Sequence, residues 1–450
     1  MTHSASPWQR LLQESRVSFV LALPIALGQL ASMAMSVVDT LLAGQHGTIT
    51  LAAVAVGSAI WSLALLICVG LMMAIPPTVS QLNGAGRRTE VGPIWRQALW
   101  LALFVGMLLM AFMRWSPQLL IWIHIDPAVV PAATEFLHAV SWGAPGLALF
   151  FATRYLSEGL SWTQPTLVFG IAALLLLIPV GYVFLFGMGP IPEMGAAGLG
   201  YATALIMWLE FAVFAWYLNR APRFADLNLL AHFEWPQWAP IRQLLALGIP
   251  MGIAIFMEGS LFVATALLIA RLGAVDVAAH QIALNVASAS FMIPLGVALA
   301  TTVRVGNAVG AGDAAAVRWA MRAGLFLVLI TQTLSALLLV FGGHIISSWY
   351  TDDAAIAALA STLMIYAAIF QYPDGIQALS GGALRGLKDT TVPAFITVFA
   401  YWAVGLTGGI LLGNGFGLRA PGFWLGLTLG LSVAAVLLFL RFQRLLRKMH

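Results

Sequence analysis

The sequence predicts an all-α polytopic membrane protein with twelve transmembrane helices in two pseudo-symmetric six-helix bundles. Three observations predict it: apolar runs of membrane-spanning length recur along the chain, basic residues gather on alternate connections, and the second half repeats the first. The composition sets the solvent. Of 450 residues 61% are hydrophobic and 8% charged, against roughly a quarter charged in a soluble protein, so most of the chain meets lipid and no separate soluble domain is expected.

About 20 apolar residues, rising about 1.5 Å each, cross a hydrocarbon core roughly 30 Å thick. On that length, spans are expected near residues 17–43, 51–78, 94–113, 130–157, 165–187, 197–218, 243–270, 277–303, 319–342, 355–384, 393–413 and 420–440. This map puts 18 of the 21 Lys and Arg on one side, leaving only Arg114, Arg271 and Arg419 on the other. A span missed or invented early in the chain would scramble that split. Cytoplasmic loops carry the basic excess, so both termini are expected in the cytoplasm. The net charge of +4 thus reads as membrane orientation, and no nucleic-acid partner is expected. The single cysteine, Cys68, lies in an apolar run and offers neither a disulfide framework nor metal-ligand spacing. Residues 1–16 are polar and lack the apolar centre of a signal peptide, so the first span is expected to be retained.

The longest polar interval, from Asn219 to Arg242, falls at the midpoint. It divides the chain into an N-terminal lobe 1–218, a cytoplasmic linker 219–242 and a C-terminal lobe 243–450. Shifting the sequence by 226 residues pairs Pro24–Gly86 with Pro250–Gly312 and gives about 15 identities over 63 positions. Pro24 meets Pro250, Gly47 meets Gly273, and the Gly84-Ala85-Gly86 turn meets Gly310-Ala311-Gly312. With an even number of spans in each copy, both halves cross in the same sense. Transporters built from parallel repeats place substrate between the halves and rock one against the other.

Among the 17 carboxylates, Asp39, Glu258 and Asp374 fall well inside apolar spans, with Glu210 a lesser fourth that a neighbouring helix or water-filled crevice would accommodate. A charge at mid-membrane costs on the order of 2.5–3.5 kcal/mol on insertion scales, so it marks a partner, a cavity or a function. Pro373 and Gly375 flank Asp374 and should weaken its helix and free backbone carbonyls. Such carboxylates can take up H⁺, or ligate Na⁺ together with carbonyls and hydroxyls. No membrane-embedded Lys or Arg offers them an obvious structural salt-bridge partner, which tells against a buried ion pair. Phe370, Tyr372, Phe291, Met292 and Asn285 are candidates for lining a substrate cavity, the aromatic and thioether groups suiting apolar cations. His46, His124, His138 and His280 are read as groups at helix ends. H-E-x-x-H, Walker A and G-x-S-x-G patterns do not occur, which removes support for metalloprotease, ATP-driven pump and serine hydrolase.

VDTLLAG after span 1, TVSQLNGAG, PEMGAAGLGYATA, GIPMGIAIFMEG in span 7, and FQYPDGIQALSGGALRGLKDT through span 10 together resemble the multidrug and toxic compound extrusion (MATE) family, in its NorM-type bacterial branch. The likeness runs along essentially the whole chain. It implies a V-shaped pair of six-helix bundles in the bacterial inner membrane. It also implies a secondary active transporter, not an enzyme, that needs no cofactor and exports cationic amphipathic drugs and dyes in exchange for H⁺ or Na⁺. A monomer with membrane lipid and small-molecule drugs as its partners is expected. By motif position, Asp39 matches the family's amino-terminal-lobe carboxylate, and Glu258 and Asp374 match the acidic pair of the carboxy-terminal lobe, the expected place for Na⁺. Span 5 departs from the family: it reads LIPVGY, with Leu177 and Gly181 where asparagines of an N-x-P-L-N-Y pattern would lie. That shifts weight from Asp39 toward Glu258 and Asp374. A lipid-linked oligosaccharide flippase of the related superfamily would call for embedded basic residues. A major-facilitator carrier would place an Asp ahead of the basic pair in the segment Gln81–Arg88, which has none.

Overall fold

The fold is a computed structural model that describes residues 6–230 and 232–449. In chain order the helices are α1 (Pro7–His46), α2 (Thr48–Met72), α3 (Ile75–Gly84), α4 (Val91–Trp115), α5 (Pro117–Trp122), α6 (Val130–Ser141), α7 (Ala144–Gly159), α8 (Gln164–Phe186) and α9 (Gly195–Arg220). They continue as α10 (Trp238–Ala270), α11 (Ala274–Gly310), α12 (Ala314–Tyr350), α13 (Ala354–Gly386), α14 (Thr391–Val398), α15 (Thr407–Ile410) and α16 (Arg419–Arg447). Two π-helical stretches, Phe399–Leu406 and Leu411–Gly415, flank α15 and carry α14 onward as one span. Helix is what lipid demands, because a backbone group unpaired in hydrocarbon costs several kcal/mol.

Among the described residues, eleven helical runs are long and apolar enough to cross a membrane, and the pair α6 and α7, bent by 44°, makes a twelfth. The span expected at 130–157 is therefore a broken one. Pro145 in the first turn of α7 cannot donate to a helix arriving from the N-terminal side. Gly143 at the break lies so near α9 that an added Cβ would stand 2.7 Å from the Ala204 Cα.

The chain forms two compact units, one of Met1–Leu27 with Ile253–His450 and the other of Gly28–Gly252. Helices α1 and α10 each divide between them, at points that correspond within one residue in the 226-residue repeat. The contacts inside each unit explain the division. In the first, Gly296 of α11 lies against α1, where an added Cβ would stand 2.8 Å from the Ala26 Cβ. Arg304 ties down the start of the same helix, donating to the Ser18 hydroxyl at 2.6 Å and pairing with Glu14. In the second, Gly70 of α2 meets Gly252 of α10, where an added Cβ would stand 2.3 Å from its Cα. Gly70 and Gly296 are repeat partners, and so are Ala26 and Gly252. Small residues thus let the backbones touch at the same place in both copies.

Residues of the 219–242 segment are strapped onto the start of α4. Arg88 donates to Asp226 at 2.6 Å; Arg96 reaches the Asn228 and Leu229 carbonyls and Glu234; and Trp100 donates to the Glu234 carbonyl at 2.8 Å. Hydrogen bonds from these guanidiniums hold the Asp226 and Glu234 carboxyls below the usual carboxylate range.

In the unit containing Ile253–His450, α13 packs against α11, α12 and α16. The span from Thr391 to Gly415 meets α16 through glycines in antiparallel register: Gly405 opposite Gly430, Gly409 opposite Gly426 and Gly413 opposite Gly422. A Cβ added at Gly426 would lie 2.2 Å from the Gly409 nitrogen, whereas one added at Gly408 meets nothing nearer than 3.8 Å. Gly426→Val is therefore expected to lower the melting temperature in detergent by at least about 5 °C or to prevent folding, while Gly408→Ala melts as the unaltered protein does. Equal melting of the two variants would contradict the contact.

Candidate functional site

The acids of the C-terminal half converge. Glu258 sits near the middle of α10 and Asp374 on α13, 4% exposed, and each carboxylate lies in the other's electrostatic reach. Gln377, one turn beyond Asp374, hydrogen-bonds Glu258 and donates through Nε2 to the Tyr401 hydroxyl. Tyr401 lies in the first π stretch, in the field of both acids. The next residue, Trp402, donates its indole N–H to the Met257 carbonyl at 3.2 Å, pinning that stretch to α10 beside Glu258. Arg385, farther along α13, supplies the cation whose field Glu258 feels. Gln332 of α12 donates to the Gln371 carbonyl at 2.8 Å, one turn before Asp374. The cluster is thus two carboxylates, amides and a phenol at mid-helix, a set of oxygen donors suited to a proton or a hard cation. Among the described residues, no group of three or more His, Cys, Asp or Glu is placed to hold a metal, so a bound cation would draw on amide and hydroxyl oxygens as well.

Asp39 stands in the other unit, in different company. Thr203 donates to its Oδ2 at 3.5 Å, and its Oδ1 is buried with no hydrogen-bond partner among the described residues. Nearby, Leu177, Ala202 and Ile206 form an apolar cluster with Met35 and Val38 packed on it. Leu177 is fully buried there, and a Cβ on Gly181 would meet the Leu42 side chain at 3.0 Å.

The expectation that no membrane-embedded Lys or Arg offers the buried acids an obvious partner is corrected for Glu210. Arg154 is buried inside α7 and pairs with Glu158 at 2.7 Å. Gln29 accepts from it at 3.3 Å, and Thr166 donates to Glu158 at 3.0 Å. Glu210 lies in the field of Arg154, so an embedded cation accounts for it. Arg154 falls near the end of the span expected at 130–157, yet packing buries it in the last turns of α7.

The cavity candidates separate. Phe370 is 3% exposed and packs edge-on against Trp424 at 5.5 Å, as a core residue. Tyr372 donates to Thr333 at 3.0 Å and lines an outer groove with Pro373. Phe291, Met292 and Asn285 are half-buried along α11, and Asn285 accepts from Gln281 at 3.2 Å. His280 caps nothing; it is fully buried, with its ring edge-on to Trp424 at 5.8 Å. His46 bridges Thr50 at 2.8 Å and Glu193 at 2.9 Å.

Gln371, Gln377, Tyr401 and Arg385 were not singled out from the sequence. The first two had a signal, because Gln371, Asp374 and Gln377 recur every third residue and so share one face of an apolar helix. Tyr401 had none.

The Arg154–Glu158 pair gives a test of the second unit. Breaking a buried pair strands a charge and costs about 3–5 kcal/mol, whereas replacing both partners with apolar residues is often near neutral. Arg154→Met is expected to destabilise by that amount in thermal melts, and Arg154→Met with Glu158→Leu by clearly less. Equal losses would contradict the pairing.

Comparison with known proteins agrees with the repeat and the fold. The MatE family model matches residues 24–183 and again residues 250–411. "Probable multidrug resistance protein NorM" of Xanthomonas axonopodis pv. citri (strain 306) is 53% identical over 97% of this chain and 95% of that protein. "Multidrug resistance protein MdtK" of Yersinia pseudotuberculosis serotype O:1b (strain IP 31758) is 41% identical over 97% of this chain and 96% of its own length. In fold, the chain is similar to the eukaryotic MATE transporter AtDTX14, with a TM-score of 0.88 at 20% identity over 98% of this chain and 99% of that one. It is likewise similar to the Vibrio cholerae MATE transporter VcmN in its bent form, with a TM-score of 0.87 at 19% identity over 98% of both chains. Two family matches at the spacing of the internal repeat, full-length relatives above 30% identity and the shared fold lead to one conclusion: the chain belongs to the MatE family of membrane transporters.

Proposed function

We propose that this chain is a cation-coupled multidrug antiporter of the bacterial inner membrane, with both termini cytoplasmic, that exports cationic amphipathic drugs in exchange for H⁺ or Na⁺. The observation that carries the reading is the cluster of Glu258 and Asp374 with Gln377 and Tyr401 inside one unit. The relatives' names support export of drugs, and with the buried Arg154 set aside the 17-to-3 distribution of the other basic residues supports the orientation.

The mechanism follows from what two neighbouring carboxylates can hold. Negative and close together, they attract a cation, and a cationic drug and a coupling ion compete for the same charge. Uptake of H⁺, or ligation of Na⁺ by the carboxylates with the Gln377 and Tyr401 oxygens, neutralises the pair and weakens its hold on the drug. Coupling requires only that the two occupants favour opposite-facing states of the transporter by different free energies. Asp39, with one weak hydroxyl partner in an apolar setting, is assigned a secondary part.

In inverted or proteoliposomal vesicles, Glu258→Gln and Asp374→Asn are each expected to lower drug-stimulated cation movement by at least about tenfold, a coupling loss of ~1.4 kcal/mol, with Asp39→Asn milder. Normal coupling in both C-terminal variants would overturn the assignment.

A further inference from the structure

We propose that the unit containing Ile253–His450 holds an anionic phospholipid, with one acyl chain in a groove between α12, α13 and α16 and the headgroup phosphate between Arg322 and Arg444. The inference goes beyond the transport reading and does not depend on it. The groove has a volume of 430 Å³, and its walls include Leu325, Pro373, Ile376, Val436 and Leu440. Its two hydroxyls are already used: Tyr372 donates to Thr333 at 3.0 Å, and Ser432 to the Thr428 carbonyl at 2.7 Å. The interior therefore offers a polar ligand nothing and suits hydrocarbon. Val436 and Leu440 at its mouth are each 57% exposed, and such a surface on a membrane helix faces lipid.

One end of the groove is charged. Along α16, Val436, Leu440 and Arg444 follow at four-residue spacing with Arg447 three further on, which places them on one face. On α12, Arg322 lies three residues before Leu325 and so continues the same wall. Leu325 and Leu440 both line the groove, and Arg322 lies about one turn before the first and Arg444 about one turn beyond the second on helices that run in opposite directions, which puts both arginines at the same end of the groove. Neither arginine pairs with a carboxylate among the described residues, whereas nearby Arg441 is taken by Asp389 at 2.7 Å. Arg322 also lies over the Trp319 ring at 5.1 Å, and tryptophan is enriched at headgroup depth. An apolar slot that ends in two guanidiniums without carboxylate partners among the described residues complements a lipid with a negative headgroup. A cationic drug would meet only repulsion there.

The test is native mass spectrometry of the full-length protein titrated with phosphatidylglycerol or with phosphatidylcholine of the same acyl chains. The unaltered protein should retain one phosphatidylglycerol in preference to phosphatidylcholine. Each juxtamembrane arginine strengthens binding to anionic lipid by about fivefold, so Arg322→Gln with Arg444→Gln should weaken retention of phosphatidylglycerol by roughly 25-fold and leave phosphatidylcholine unchanged. Val436→Trp, which fills the groove from its lipid-facing side without touching the core, should abolish retention of the single lipid. Melting temperatures equal to that of the unaltered protein would confirm that both variants fold. Equal retention of the two lipids by the unaltered protein, or unchanged phosphatidylglycerol retention in the arginine variant, would overturn the proposal. Loss in the arginine variant with full retention in Val436→Trp would place the lipid outside the groove and overturn it too.

Discussion

Exclusion of water from the hydrocarbon core is the constraint on which this structure depends. It forces every spanning segment into helix and removes the hydrophobic effect as a reason for one span to pack on another. Helices must instead touch closely, and they do so through glycine and alanine. The antiparallel pairs Gly405–Gly430, Gly409–Gly426 and Gly413–Gly422 join the last two spans. The contacts Gly296–Ala26 and Gly70–Gly252 give each unit the opening part of the other half's first helix.

The same constraint sorts the embedded polar groups into two kinds. Arg154 and Glu158 satisfy each other, with Gln29 and Thr166 completing the set, and hold a broken span in place. Glu258 and Asp374 carry like charges and answer to amides, a phenol and the field of Arg385. A pair of that kind adds nothing to folding that apolar side chains would not provide better, which is why it is read as machinery. The two halves also keep geometry while exchanging chemistry. His46 and Thr50 meet Glu193 in one unit, and Asp276 with the Leu272 carbonyl meets Arg419 in the other. His46 and Leu272, Thr50 and Asp276, and Glu193 and Arg419 are all 226 residues apart.

Much of the fold was legible because membrane spans are read by length and hydropathy, and the repeat by Pro24 with Pro250 and the Gly-Ala-Gly turns. The break between α6 and α7 had a local sign in Pro145, but hydropathy averages over it; Arg154 was counted at a span end because hydropathy does not show which residues near that end are packed against other helices. The sharing of α1 and α10 between units rests on Ala26 and Gly252, single small residues that are unremarkable in a glycine-rich chain. Of the candidate site, Glu258 and Asp374 stood out as charges in lipid. Gln371 and Gln377 were visible as a stripe at helical spacing. Tyr401 was hidden, because the π turn that positions it beside Gln377 leaves no mark on the hydrophobic pattern. Phe370 shows the converse: an aromatic one turn from Asp374 suggested a cavity wall and proved to be core.

The central claim is that one pair of carboxylates holds either a drug or a coupling cation. Equilibrium binding of a fluorescent cationic dye to the purified protein in nanodiscs, measured while H⁺ and Na⁺ are varied separately, tests it most directly. The account predicts that raising the concentration of at least one of these ions weakens dye binding competitively, and that the competition disappears in the Glu258→Gln, Asp374→Asn double variant. Dye affinity indifferent to both ions, or competition that persists in the double variant, would contradict it.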